Sequence, residues 1–431
     1  MEMETIYARI VTQLQKYGTA QGIMGYVNEE SLVRQYRKLE RGKAVGVDGI
    51  SKEEYGKNLK ENLVRLIERM KAMIYIPKDV RRAYIPKEGS NKLRPLGIPA
   101  FEDKLVQGVM AEILEVIYEP IFKDYSYGFR PGRNCHQAIE RLDKIIMNRK
   151  VNYVVDADIR GCFENIDHNK LIELMRKRIE DKVFLRYIVR FLKAGIMEGT
   201  EIYEPDKGTP QGGLISPILA NIYLHYVLDE WFEEEIQKKS KGEAYLIRYA
   251  DDFVACFEEE EEAKEYYEKL KDRLKEYGLE MAEEKSKIIK FGKKAGNSKE
   301  SFDFLGIRHI NGKTRKGKYK LVHKTSRKKL KSKKKKAKQW IKENIQKPIV
   351  TIIKKLNVKI IGHNRYYGIS DNIGSLKHFR NYCIWELYRA LRKRGQKKPI
   401  TKEKYIKILE HNEIARPKIY HSMWKVANDL C

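Results

Sequence analysis

Residues 244–257, Ala244-Tyr245-Leu246-Ile247-Arg248-Tyr249-Ala250-Asp251-Asp252-Phe253-Val254-Ala255-Cys256-Phe257, decide how this chain folds. Two apolar runs, Tyr245 to Arg248 and Phe253 to Phe257, flank Tyr249-Ala250-Asp251-Asp252, which predicts a β-hairpin. In isolation the acid pair is ordinary turn chemistry, because Asp is common in turns. The upstream sequence changes that reading. Val151 to Ile159 predicts a strand with Asp156 and Asp158 near its end, on one face by alternation. Helical periodicity follows through Leu171, Leu174, Met175 and Ile179. A second helix has Ser216 as its expected N-cap and Pro217 at its first position, and runs through Ile218, Ile222, Tyr226 and Trp231. After the hairpin, Glu258 to Tyr277 reads as a charged helix stopped by Gly278, and Ile288 to Phe291 as a last strand. Strand, helices, strand, strand, helix, strand is the order of the split βαβ ferredoxin-like unit. In that unit the two central strands are neighbours, so the first strand's end and the hairpin turn meet at one edge.

Outward from this core the patterning is helical. Leu59, Leu63, Leu66, Ile67 and Met70 recur at helical spacing, as do Leu105, Val109, Ile113, Val116 and Ile117 between Lys104 and Tyr118. Lys78 to Ile85 turns extended, and Pro86, Gly89 and Ser90 mark a turn. Beyond Gly306 the composition shifts to a basic run that includes Arg327-Lys328-Lys329 and Lys333 to Lys336, followed by helical segments. The expected division is 1–45 as an N-terminal extension, 46–311 and 312–398 as two domains, and 399–431 as a short tail.

Against 60 Asp+Glu stand 88 Lys+Arg, a formal net charge of +28. A charge that large repels itself unless an anionic partner offsets it, and nucleic acid is the commonest such partner. There is no apolar run of 18 residues, and Met1-Glu2-Met3-Glu4 opens with acids. The expectation is a soluble, cytoplasmic protein with no membrane partner. The scattered cysteines (135, 162, 256, 383, 431) form no C-x-x-C pair, so neither a cysteine zinc module nor a disulfide framework is indicated.

Carboxylates from two strand ends suit one chemistry well. Nucleotidyl transfer needs two divalent ions roughly 3.5–4 Å apart, and hard ions such as Mg²⁺ take oxygen ligands. Neighbouring carboxylates repel unless a cation holds them together. Asp251 and one of Asp156 or Asp158 meet the requirement, and spacing does not choose between the last two.

Eight blocks in sequence resemble the reverse transcriptases encoded by group II introns, across about residues 40 to 395. They are Gly46-Val47-Asp48-Gly49, Leu93 to Pro99, Tyr127 to Arg133, Asp158 to Phe163, Gly208 to Gly213 with Ser216-Pro217, Tyr249 to Asp252, Gly278-Leu279 with Glu284-Lys285-Ser286, and Phe304-Leu305-Gly306. The resemblance implies an α+β right-hand polymerase, with fingers, a ferredoxin-like palm and an α-helical thumb or maturase X domain. It favours Asp158 over Asp156 as a metal ligand with Asp251, beside Asp252, and gives the Ile159 carbonyl a place in the metal shell. Two Mg²⁺ ions (Mn²⁺ as substitute) are the implied cofactors. Phe163 would select deoxynucleotides by clashing with a 2′-hydroxyl. Arg94 and Lys92 would grip the triphosphate, Gln211 would line the nucleotide pocket, and Lys285 is placed as proton donor to pyrophosphate. Gly212 lets backbone approach the template closely. Arg130 serves the nucleic-acid side chiefly by ordering the fingers. Lys331, Lys333, Lys334, Lys335, Lys336 and Arg365 would hold nucleic acid. Implied partners are an RNA template, a DNA or RNA primer, dNTPs and group II intron RNA.

The sequence also departs from the family. About thirty residues follow Pro399 without cysteine pairs, so no endonuclease activity is expected. Two alternatives stand beside the polymerase: a splicing maturase with little or no catalysis, and a related enzyme domesticated for phage defence, repair or CRISPR spacer acquisition.

Overall fold

Four strands build the central sheet: β3 (Tyr153–Asp158), β6 (Ala244–Tyr249), β7 (Asp252–Phe257) and β8 (Lys287–Lys290). In this computed structural model, which describes residues 7–86, 93–199, 201–209, 212–295, 298–394 and 399–423, they lie in the order β6-β7-β3-β8, all antiparallel. That is the strand order of the split βαβ unit the sequence predicts, so the chain is α+β. The near-continuous apolar run of β7 is explained by cover on both faces. Val155, Ala157, Phe253, Ala255 and Phe257 join the larger core on one face. Val154, Ile247, Val254, Cys256 and Ile289 join a smaller core on the other. Alternation puts Asp156, Asp158 and Asp252 on the smaller-core face.

The larger core also holds helices α1 (Ala8–Tyr17), α2 (Glu29–Lys38), α3 (Leu59–Lys71) and α4 (Phe101–Tyr118). The N-terminal extension therefore shares the main core: Arg34 and Lys38 bind Glu112 of α4 at 3.0 and 2.5 Å. A second sheet, ordered β2-β1-β4-β5, is made of β1 (Val80–Pro86), β2 (Leu93–Ile98), β4 (Ile196–Glu198) and β5 (Glu201–Tyr203). Much of the turn expected after Pro86 lies outside the described residues. Helix α5 (Cys135–Asn148) covers the smaller core, and α6 (Cys162–Asn165) follows β3. Next come α7 (His168–Arg176), α8 (Lys182–Leu192) and α9 (Ser216–Leu224).

Three details depart from expectation. The cap of α9 is Ile215, one residue earlier than Ser216. Beyond Leu224 the helix loosens to i→i+5 bonding over His225–Glu230 and Phe232–Gln237, a geometry frequent at functional sites. The expected boundary at 311/312 falls inside β10 (Ile307–Lys313), the middle strand of a sheet with β9 (Ser301–Phe304) and β11 (Tyr319–Thr325). The composition shift there marks a change of surface charge, while the sheet runs through it.

Helix α10 (Glu260–Glu276) ends at Gly278, whose φ of +70° only glycine adopts at little cost. After β11 the chain forms a bundle of α11 (Arg327–Asn344), α12 (Ile349–Tyr367), α13 (Ile373–Arg394) and α14 (Lys402–His411). Tyr405 and Ile414 pack into its core with Ile341, Leu356, Phe379 and Leu387. The expected tail is thus, as far as Met423, part of this bundle. No helix among the described residues is long and apolar enough to cross a membrane.

Candidate active site

Register brings the acids together. In the β3–β7 ladder Asp158 stands opposite Asp252, while Asp156 stands opposite Val254 and Lys287. At about 3.3 Å rise per residue, Asp156 is a little under 7 Å further into the sheet. Asp158 is therefore the acid beside the hairpin turn. The Asp158 and Asp251 charges act on one another, which places both at this edge.

The turn itself is strained. Tyr249 pairs with Asp252, leaving Ala250 and Asp251 as a two-residue loop. Ala250 has φ +58° at the position where such loops usually carry glycine. What holds it there lies underneath. Arg248, wholly buried, donates to Asp229 (2.7 Å from Nε to Oδ1, with a second bond to Oδ2), to Asn221 Oδ1 at 3.1 Å and to the Ala250 carbonyl at 3.0 Å. Asn221 in turn donates to the Gly128 carbonyl at 2.7 Å. Gly128 lies flat against Ala250, where any Cβ would collide with the Ala250 backbone. Asp229 sits on the loosened helical segment. Arg248, Asp229 and Asn221 escaped the sequence reading, because a polar residue in an apolar strand or helix gives no sign of its partner.

Electrostatics follow from crowding. Burial pushes the Asp251 carboxyl above the usual range; its own backbone amide opposes this, Asp158 adds to it, and Arg94 and Arg248 oppose it. Asp252 touches water but is surrounded by protein. Desolvation, then the charges of Asp251 and Asp158, raise it to about 6, against Lys329. Asp156, raised chiefly by burial, reaches about 7 against the pull of Lys287. Carboxyls held this far from easy ionisation suit a site for cations, which would reverse the penalty. Lys285 donates to Asp158 Oδ2 at 2.5 Å. Asp158, Asp251 and Asp252 are not gathered as a trio of ligand atoms within 4.8 Å; among the described residues that geometry belongs to Asp143, His309 and His323.

The turn opens onto a cavity of about 730 Å³. One wall is Phe129, Asp251 and Asp252; the other is basic, from Lys329, Lys333 and Lys336 of α11 and Lys359 of α12, with His363 and Phe379 behind. Spacings of four and three put the α11 lysines on one face. The basic run is thereby split: Lys333 and Lys336 face the cavity, Lys334 turns to His378 and Tyr382, and Lys331 and Lys335 point to solvent. Arg365 is exposed outside the cavity lining.

The remaining expected residues divide. Arg94 is exposed on β2, close enough for its charge to act on Asp251. Phe163 is half-buried on α6, edge-to-face with cavity-lining Phe129 at 6.3 Å. Its carbonyl accepts from the Thr209 N–H at 2.7 Å, mooring the glycine-rich loop. Gly212, at φ +115°, lies against the Gly97 carbonyl, where a Cβ would collide. Ile159 is buried, bridged to Met281 through the Arg160 N–H and the Asp158 carbonyl. Arg130 is buried, and its guanidinium binds Glu119 and the carbonyls of Lys123, Ser126 and Phe122, which suits an ordering role. Lys92 and Gln211 lie outside the described residues.

Comparison with known proteins gives this geometry a context. The profile of the family "Reverse transcriptase (RNA-dependent DNA polymerase)" matches residues 85–309, more than half of the chain. The group II intron-encoded protein LtrA of Lactococcus lactis subsp. cremoris is 38% identical over 266 residues, covering 59% of this chain and 44% of its own length. Protein YkfC of Escherichia coli K12 is 31% identical over 305 residues, 64% of this chain and 78% of that protein. A nuclear intron maturase of Arabidopsis thaliana mitochondria is 31% identical over 97 residues, 22% of this chain and 13% of that protein. The matched stretch is thus less than half the length of the Lactococcus relative.

Proposed function

The chain belongs to the reverse transcriptase family, similar to proteins encoded by group II introns, and from that premise we propose that it extends a primer 3′-hydroxyl with dNTPs on an RNA template. The observation carrying this is the register of Asp158 against Asp252, beside Asp251, at the wall of a basic cavity. In this reading the central sheet is the palm, β1, β2, β4 and β5 belong to the fingers, and α11–α13 form the thumb or maturase X domain. In place of the expected break at 311/312, the joint is the β9–β11 sheet, and α14 belongs with the bundle.

Asp158, Asp251 and the Ile159 carbonyl are the groups that would hold two Mg²⁺ ions, with Mn²⁺ as substitute, and Asp252 adds negative charge. Ions held there lower the pKa of the attacking hydroxyl and stabilise charge on the leaving oxygen. Hard oxygen donors fit such ions. Arg94 binds the triphosphate through the fork geometry that suits phosphate oxygens, with Lys92 as its partner in that role. Phe163, backed by Phe129, sits under the incoming sugar, and Gln211 lines the pocket. Lys285, seated on Asp158, moves to the pyrophosphate as proton donor. Lys333 and Lys336 hold the duplex backbone; Lys331, Lys334, Lys335 and Arg365 lie on outer faces suited to structured RNA, including an intron as in a maturase.

Extension of oligo(dT) on poly(rA) tests the reading. Asp251→Asn keeps shape and removes charge, so activity should fall about 10³-fold, the worth of several kcal/mol of charge stabilisation. Undiminished extension in that variant would show that the site is elsewhere. A chain that splices a group II intron at low Mg²⁺ while extending no primer would instead be a maturase alone.

A further inference from the structure

Outside the cavity lining, Asp143 of α5, His309 of β10 and His323 of β11 come together, all buried, with their ligand atoms within 4.8 Å of one another. His309 and His323 are direct partners across the β10–β11 ladder. His323 Nε2 lies 2.8 Å from Asp143 Oδ1. His309 is wholly buried, stacked on Phe302 with ring centroids 4.8 Å apart, and neither of its nitrogens has a hydrogen-bond partner among the described residues. His323 Nδ1 is likewise buried without one. A neutral imidazole must carry a proton on one nitrogen and a lone pair on the other. His309 thus leaves both a donor and an acceptor unsatisfied, a costly arrangement in a buried site. A cation at the centre would take the lone pairs and offset the desolvation that now pushes the Asp143 carboxyl up.

We propose that Asp143, His309 and His323 form a structural zinc site, distinct from the polymerase carboxylates, that clips the β10–β11 hairpin to α5. Two imidazoles and a carboxylate suit zinc and disfavour Mg²⁺, which prefers an all-oxygen shell. Tetrahedral zinc, with ligands at about 2.0–2.1 Å, spaces them about 3.4 Å apart. The 2.8 Å His323–Asp143 contact therefore opens slightly, and His309 closes in. Asp371, whose charge acts on Asp143, keeps one oxygen on Lys320 and has the other, Oδ2, buried without a partner among the described residues; it is a candidate for the fourth ligand. Since α11 starts two residues after β11, the clip fixes the root of the bundle that carries the basic wall.

The full chain, stripped with a chelator and returned to excess Mg²⁺ to occupy the polymerase carboxylates, is titrated with Zn²⁺ against a chromophoric chelator. One equivalent should bind tightly; His309→Phe and His323→Gln should bind none, and Asp158→Asn/Asp251→Asn should still bind one. Phe keeps the stack on Phe302, so His309→Phe should melt no lower than wild type in chelator. Zn²⁺ should raise the wild-type melting temperature and leave that of His309→Phe unchanged. Failure of the wild type to take up zinc, uptake that survives both histidine substitutions, or an equal thermal shift in wild type and His309→Phe would overturn the proposal.

Discussion

The buried pair beneath the Ala250-Asp251 turn makes a prediction in which stability and activity part company. Arg248→Met removes a guanidinium that meets Asp229 twice, Asn221 once and the Ala250 carbonyl once. Both members of the pair are wholly buried, so the single change strands the Asp229 carboxylate in an apolar interior, at about 3–5 kcal/mol. Replacing both partners, Arg248→Met with Asp229→Leu, removes that stranded charge. What remains, in the single and the double variant alike, is an unpaired Asn221 oxygen and Ala250 carbonyl, at about 1–3 kcal/mol each. The double variant should therefore resist urea better than the single one, with a midpoint nearer wild type. Activity should not follow. Ala250 keeps its φ of +58° through the tether to Arg248, and without it the turn carrying Asp251 relaxes. A displacement of about 1 Å costs about 10²-fold in rate, so both variants should extend a primer about a hundredfold more slowly. A double variant with wild-type extension would refute the tether. A single variant as resistant to urea as the double would refute the stranded charge.

Other outcomes follow from the same site. Asp156 and Asp252 have folded pKa values of about 7 and about 6, above the unfolded value of about 3.9. A raised pKa contributes stability that is complete below about pH 4 and is lost as pH rises from there through the folded values near 6 and 7. In chelator, wild type should lose stability over that window relative to Asp156→Asn/Asp252→Asn, and Mg²⁺ should reduce the loss; parallel pH profiles of the two melting temperatures would contradict this. Lys333→Gln/Lys336→Gln should lower the slope of log template affinity against log salt by about 2, and Lys331→Gln/Lys335→Gln by less, as measured by fluorescence anisotropy. Phe163→Val should raise incorporation of ribonucleotides relative to deoxynucleotides by about tenfold, or 1.4 kcal/mol, in single-nucleotide extension; an unchanged ratio would remove Phe163 from sugar selection.

Local pattern was enough for the central sheet. Alternation and turn residues mark β3, β6 and β7, and their order admits the pairing that sets Asp158 beside Asp251, because side-chain period and strand adjacency are properties of short stretches. The acid pair and the basic run were legible for the same reason. Tertiary structure decided what depends on residues far apart in the chain. Register separated Asp158 from Asp156, two acids on the same face that spacing left equal. Helical phase split the lysine run, sending Lys333 and Lys336 to the cavity and Lys331 and Lys335 to solvent. The Arg248–Asp229–Asn221 support and the Asp143–His309–His323 cluster were invisible beforehand, since a polar residue in an apolar segment does not announce its partner. A buried polar group must still find one, and only packing across the fold decides which.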